Sequence, residues 1–217
     1  MDIDSLIQTI AISALPVIFA ITLHEAAHGY AARHFGDPTA WLAGRISLNP
    51  LRHIDLWGTI VIPVVILLFT SGGMLFGYAK PVPVDFGRLR HPKQDMLWVA
   101  AAGPAANLFM ALAWGLAAKL SWFVPDFFSL PLARMAEVGI MVNSVLLVLN
   151  LLPLPPLDGG RIAVSLLPGR TAWKFARIEP WGFPILLLLL FTGILGTIMF
   201  PFVTLVRVLV LKIFGLY

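Results

Sequence analysis

The chain has 217 residues, of which 59% are hydrophobic and only 12% charged, with a net charge of +4. Soluble domains carry about 25% charged residues, so this composition excludes a soluble globular protein and points to an integral membrane protein. The excess charge reads as basic loops at a membrane surface rather than a nucleic-acid footprint. Because the chain has no cysteine, any bound metal must be held by histidine, carboxylate or water.

The expected class is an all-α polytopic membrane protein of about four to six transmembrane helices, with a re-entrant extended or β segment near its functional centre. No internal repeat or large hydrophilic block interrupts the chain, so residues 1–217 are expected to form a single membrane domain, with a core over 3–160 and a C-terminal helical region over 181–217. The N-terminus carries Asp2 and Asp4 and no basic residue, unlike a secretory signal, so the first apolar run is expected to stay as a span. It should run from about Ile3 to His34, kink at Pro16 and end at Gly36-Asp37-Pro38. Arg33 and His34 in its last turn suit the helix dipole.

The mixed stretch Thr39–Leu56 is too polar to span and is expected at the interface or paired as strands. Leu56–Ala79 has no charge but many breakers (Gly58, Pro63, Gly72, Gly73, Gly77). Lys80-Pro81-Val82-Pro83-Val84 reads as extended chain, since each proline pushes its predecessor out of the helical region. Met96–Ala118 is a second clear span that opens on the small run Ala100–Ala106, which permits close helix approach. Leu120–Leu132 is expected to be an aromatic, proline-broken loop, and a third span should run from about Ala136 through Asn143 and Asn150 to Pro153. Leu152–Gly160 cannot be helical. A basic loop (Arg161, Arg170, Lys174, Arg177) then leads to a final apolar stretch, Gly182–Val206. Beyond it, Pro201, Arg207 and Lys212 mark either the end of that helix or a short interfacial one.

Loops 33–55, 80–95 and 161–177 are all net basic, and positive loops belong in the cytoplasm. They share one side only if the stretch 39–95 enters the membrane and returns. The first and third clear spans are then parallel, which brings His24 and Asp158 to one depth, each about 30 Å of helix from the start of its span. The N-terminus is then extracytoplasmic.

The chemistry concentrates in His24-Glu25-Ala26-Ala27-His28. Residues four apart leave the same helix face, which suits two legs of a tetrahedral zinc site, with Glu25 placed to take a proton from a bound water. Ionisable groups deep in an apolar segment usually mark a functional site. Asp158 is the best third ligand because it ends a non-helical stretch, and such backbone at membrane depth lines protein or a cavity. Glu137 and Glu179 are poorer candidates, one at the far end of its span and the other beyond the basic loop. The expected cofactor is therefore one Zn²⁺ per chain, with His24, His28 and Asp158 as ligands and Glu25 as the base. Asn107 and Asn150 are deep side chains that either hold an oxyanion or a substrate carbonyl or make ordinary interhelical hydrogen bonds. His34, His53 and His91 lie in or beside loops and are expected at the surface. Val82 and Val84 should fix an edge strand to which an extended substrate segment adds.

Three segments carry a resemblance to the site-2 protease family, which are intramembrane zinc metalloproteases. They are His24–His28, then Gly103-Pro104-Ala105-Ala106-Asn107, then the long run from Asn150 to Gly160 that contains Leu157-Asp158-Gly159-Gly160. The resemblance implies zinc ligands His24, His28 and Asp158, catalytic Glu25, and active-site roles for Asn107 and Asn150. It also implies a multi-pass enzyme of the cell membrane whose partners are the lipid bilayer and a transmembrane protein or peptide substrate. The chain lacks the PDZ and CBS domains of larger relatives, and nothing in the pattern specifies an oligomer. The competing class is a small ion or solute transporter, or a non-proteolytic zinc-binding membrane protein. Glu25 separates them, since only hydrolysis needs the base.

Overall fold

The computed structural model describes residues 3–53, 55–61, 65 and 80–216. Helix α1 (Ile3–His34) continues through Pro16, which lies inside it. It ends where Gly36 takes a φ of 109°, a left-handed conformation that glycine adopts at no steric cost. Short α2 (Thr39–Leu42) follows, then a 3₁₀ turn at Pro50–Arg52 and a π-helical segment at Leu56–Val61. No strand occurs among the described residues, so Thr39–Leu56 does not pair in a sheet. Its polar groups are met by turns instead: the Asn49 side chain caps the 3₁₀ turn and Asp55 accepts from the Gly58 amide. The expected passage of Leu56–Ala79 through the membrane falls mostly on residues outside those described.

Helix α3 (Pro92–Leu120) contains Pro104, and α4 (Asp126–Asn150) contains Pro131. The third span thus begins at Asp126 rather than near Ala136, and the loop before it is shorter than expected. Pro131 is tolerated because it falls in the second turn, where the one bond it removes is to the exposed Phe127. Asp158-Gly159-Gly160, expected to be non-helical, form the first turn of a short helix α5 (Asp158–Leu166), and the expected basic loop continues into α6 (Gly169–Ala176), which leads to α7 (Glu179–Phe191) and α8 (Ile194–Ile213). The final apolar stretch is therefore two helices rather than one. They meet at Gly193, whose φ of 75° breaks the helical path. The tail carrying Arg207 and Lys212 is the end of α8.

Helices α1, α3, α4 and α8 are long and apolar enough to cross a membrane. Their outer faces are hydrophobic, with Phe109 and Phe200 69% and 72% exposed, while Thr22, Asn107, Asn143 and Ser144 are fully buried between them. Polar inside and apolar outside is the reverse of a soluble fold, and matches a chain solvated by lipid.

Contacts fix the directions of the spans. His24 meets Asn107 while His28, one turn on, meets Val99, so α1 and α3 are antiparallel. Asn107 meets Asn143, and Ala111 packs with Ile140, so α3 and α4 are antiparallel too. Hence α1 and α4 run parallel, as the sequence pattern requires. Val148 packs with Leu195 and Met199, and Ile140 with Val210, which sets α8 antiparallel to α4.

The three basic segments also meet. Arg90 donates to the His34 and Phe35 carbonyls, Lys93 Nζ donates to Leu167 O, and Arg161 stacks on Phe86. The Lys80 amide donates to His53 O at 2.9 Å, which ties the start of the Lys80–Asp85 segment to the turn after Pro50–Arg52.

Candidate active site

The His-Glu-x-x-His turn lies in the C-terminal half of α1, against the small-residue face of α3. Nε2 of His24 and Nε2 of His28 are 3.1 Å apart, and each is 3.3 Å from Asp158 Oδ2. Ligand atoms held at about 2.0–2.1 Å by a tetrahedral zinc stand roughly 3.3 Å from one another. These are also the only three acidic, histidine or cysteine side chains grouped closely enough for a metal among the described residues. Glu137 is exposed and Glu179 pairs with Arg161, so neither joins them.

Two observations show that this cluster suits a cation. Nδ1 of His28 bonds the Val99 carbonyl at 2.7 Å. A carbonyl can only accept, so Nδ1 carries a proton and, in the neutral ring, Nε2 has the lone pair. Asp158 Oδ2 is buried with no hydrogen-bond partner. With both rings neutral and protonated at Nδ1, lone pairs would converge on one buried point, an arrangement that is costly unless a cation fills it.

Local sequence explains how these three side chains reach that point. A Cβ on Gly103 would lie 2.4 Å from His28 Nε2 and 2.5 Å from His24 Cε1, so only glycine lets α3 approach the rings. Pro153, Pro155 and Pro156 stop α4 and turn the chain so that Asp158 opens α5, where the helix dipole favours a carboxylate. Gly159 and Gly160 pack directly under the backbone of Leu151, Leu152 and Pro155, where a Cβ would come within 2.4 Å and 2.3 Å. The run that follows Asn150 is thus a folded knot of backbone whose output is one carboxylate.

The segment Lys80–Asp85 is non-helical, as its prolines require, and lies along the C-terminal half of α1. Its Val82 amide donates to Glu25 Oε2 at 2.7 Å. Arg45 holds the Lys80 and Pro81 carbonyls, and the Asp85 amide donates to Asp37 Oδ2 at 2.7 Å. Val82 is buried, with Cγ1 3.2 Å from where a Cβ on Gly29 would sit. Val84 packs against the Ala32, Leu89 and Val99 cluster. Both valines therefore seat this strap on the bundle. Asp37, just beyond α1, anchors its far end. Burial pushes that carboxyl up, but the Thr39 hydroxyl and amide, the Asp85 amide and the charge of Arg88 together hold it below the usual range.

Asn107 joins the site through its neighbours. Its Oδ1 accepts from His24 Nδ1 at 2.7 Å, and its Nδ2 donates to Ala20 O and Asn143 Oδ1. Asn150 does not join the cluster: it is half-buried, and Nδ2 bonds Leu146 O of its own helix. His34 and His91 are exposed as expected. His53 is not: it is 2% exposed, with Nε2 bonding Ser47 O, because the turn at Asn49-Pro50 folds its ring back under the chain. Asn143 was given no role by the sequence pattern. The available signal was its position seven residues, about two turns, before Asn150 on one face of an apolar span.

The model of Peptidase family M50 matches residues 126–193. A Bacillus subtilis (strain 168) protein named "Putative zinc metalloprotease YwhC" is 36% identical over 205 residues, covering 93% of this chain and 90% of the relative. A Mycolicibacterium smegmatis protein named "Putative zinc metalloprotease Rip2" is 32% identical over 86% of this chain and 69% of its own length. The protein of that name in Mycobacterium tuberculosis (strain ATCC 25618 / H37Rv) is 30% identical over 65% of this chain and 52% of its own. No solved structure matches. With a relative matched over nine-tenths of its length and a family model covering the turn that delivers Asp158, the chain belongs to Peptidase family M50.

Proposed function

We propose that this protein is an intramembrane zinc endopeptidase of the cell membrane, which hydrolyses peptide bonds within or beside transmembrane segments of other membrane proteins. The observation that carries the reading is the buried triangle of His24 Nε2, His28 Nε2 and the partnerless Asp158 Oδ2, one residue from a glutamate and enclosed by apolar spans.

His24, His28 and Asp158 would hold one zinc ion per chain. When bound, the metal acidifies a water and polarises the scissile carbonyl. Glu25 takes the proton released as the water attacks, and returns it to the leaving amine. Its Oε2 is held by the Val82 amide, which stops the carboxylate rotating away and orients Oε1 for that transfer. Asn107 spends its oxygen on His24 and its nitrogen on two acceptors, so it orients a ligand. Asn150 uses one N–H on its own helix and would offer the other to the substrate carbonyl oxygen.

A substrate strand would align beside Lys80–Val84. Pro81 and Pro83 have no amide, the Lys80 amide is bound to His53 and the Val82 amide to Glu25. Val84 is therefore the donor of that segment left for the substrate, and Val82 supplies an acceptor. Pairing of this kind compensates the backbone groups that local unwinding exposes, each costing several kcal/mol in hydrocarbon.

The test is cleavage of transmembrane peptides by the purified protein in lipid vesicles. Glycine- or asparagine-bearing helices should be cut, uniformly leucine-rich ones more slowly, and none by Glu25→Gln. Equal cutting by the wild type and Glu25→Gln would end the hydrolytic reading. Equal cutting of both peptide classes would end the strand-pairing part of it.

A further inference from the structure

Beyond the ligands and the base, the bundle contains a line of hydrogen bonds whose direction is set at one end. Asn143 Nδ2 donates to the Gly139 carbonyl at 2.8 Å. That carbonyl cannot donate, so the Asn143 amide has one permitted orientation, with Oδ1 facing Asn107. Asn107 Nδ2 must then face Asn143, at 3.0 Å, and also the Ala20 carbonyl, at 3.2 Å. Its Oδ1 is left facing His24 Nδ1 at 2.7 Å and can only accept. His24 therefore carries its proton on Nδ1 and presents a lone pair at Nε2, towards Asp158 Oδ2.

Both asparagines have no exposed surface, so water cannot substitute for a lost partner. Were the Asn107 amide to turn over, its NH₂ would face Nδ1 and the proton would move to Nε2, where a metal must bind. The Ala20 carbonyl opposes that rotation weakly, since its bond is long and it also serves the α1 backbone at His24. Asn143 makes the shorter of the two contacts.

We infer that Asn143 is a positioning residue for His24: acting through Asn107, it holds the ring in the tautomer that leaves Nε2 free to ligate. The inference rests on the zinc reading above. It also accounts for a fully buried asparagine within a membrane span, where an unneeded polar side chain is unfavourable.

The experiment uses the full chain in detergent or nanodiscs, with zinc affinity measured by chelator competition. The state of the His24 ring is read from ¹⁵N chemical shifts of the metal-free protein. Asn143→Leu keeps the bulk and removes the hydrogen bonds. It should weaken zinc binding roughly 10–100-fold, as loss of a ligand's supporting partner does, and add the Nε2-protonated tautomer to the spectrum. Asn143→Asp, kept neutral by burial, can still donate to Gly139 and accept from Asn107, and should bind zinc nearly as the wild type does. The control is Ser144→Ala, which removes a buried hydroxyl bonded only within its own helix, to Ile140, and should change neither readout. Equal weakening by Asn143→Leu and Ser144→Ala, or no weakening by Asn143→Leu, overturns the inference while leaving the zinc site standing. If neither variant at 143 folds, the wild type still decides, because a metal-free His24 protonated mainly at Nε2 contradicts the inference directly. Absence of zinc from the wild type is a different failure, and removes the zinc reading and this inference together.

Discussion

The His24, His28 and Asp158 cluster and the Lys80–Asp85 strap beside it are held in opposite ways. Side chains hold the first: His24, His28 and Asn107 project from spans α1 and α3 into a space that Gly103 keeps open, with His24 bonded to Asn107, His28 to Val99 O, and Asn107 to Ala20 O and Asn143. The Lys80–Asp85 strap is held by its main chain, at Lys80, Pro81, Val82 and Asp85, with the valines only seating it. A side-chain network fixes atoms to a fraction of an ångström, as metal chemistry requires. A main-chain strap tolerates many side chains, which suits a surface that meets varied substrate segments. Substitutions should therefore act sharply in the cluster and mildly in the strap, unless they remove a main-chain donor.

The largest effect is expected at the base. Glu25→Gln should lower the rate of peptide hydrolysis by about 10²–10⁴-fold or more, with zinc content unchanged, as elemental analysis of the same preparation would show. Loss of zinc in that variant would mean that Glu25 supports the cluster rather than the chemistry. Next comes Gly103→Ala. Its new Cβ would lie 2.4 Å from His28 Nε2, so the rings must separate, and zinc affinity should fall at least tenfold, roughly the scale of lost ligand support. Unchanged affinity would show that α3 can withdraw without moving the histidines.

Val82→Pro tests the strap where it meets the cluster. It removes one charge-assisted hydrogen bond, of about 1.5–3 kcal/mol, and should slow hydrolysis about tenfold while zinc binding stays as it was. Val82→Ala keeps the amide and should do much less, so equal slowing by both would assign the effect to packing. The smallest effect concerns the strap's far anchor. The Asp37 carboxyl is held below its usual range, so its contribution to stability is fully present above the unfolded value of about 3.9 and is lost as pH falls through the folded value. Thermal unfolding should be less steep in its acid dependence for Asp37→Asn than for the wild type below about pH 4. Parallel curves for the two would show that Asp37 does not anchor the strap.

How much of this was legible in the sequence follows from the same contrast. His24, Glu25 and His28 are readable because four-residue spacing on a helix is a local rule, and Asp158 because Pro153, Pro155 and Pro156 forbid a helix before it. The parallel course of α1 and α4 followed from charge in the loops, a constraint the membrane imposes from outside. What escaped were consequences of packing. The burial of His53 depends on a turn closing over it, and the break at Gly193 on one positive φ in an unbroken apolar run. The early start of α4 depends on where Pro131 falls in its turns. The role of Asn107 as a support for His24 depends on which atoms its two nitrogen-bound hydrogens face, and no spacing rule specifies that.

Catalysis by this protein requires a metal among His24, His28 and Asp158 if it is a zinc endopeptidase. The direct measurement is X-ray absorption at the zinc edge of the purified full-length protein. The expected result is one zinc per chain with two imidazole nitrogens at about 2.0–2.1 Å and oxygen completing the shell, and an altered edge with depleted metal in Asp158→Ala. A protein that carries no zinc, or a zinc shell that is unchanged in Asp158→Ala, would contradict it.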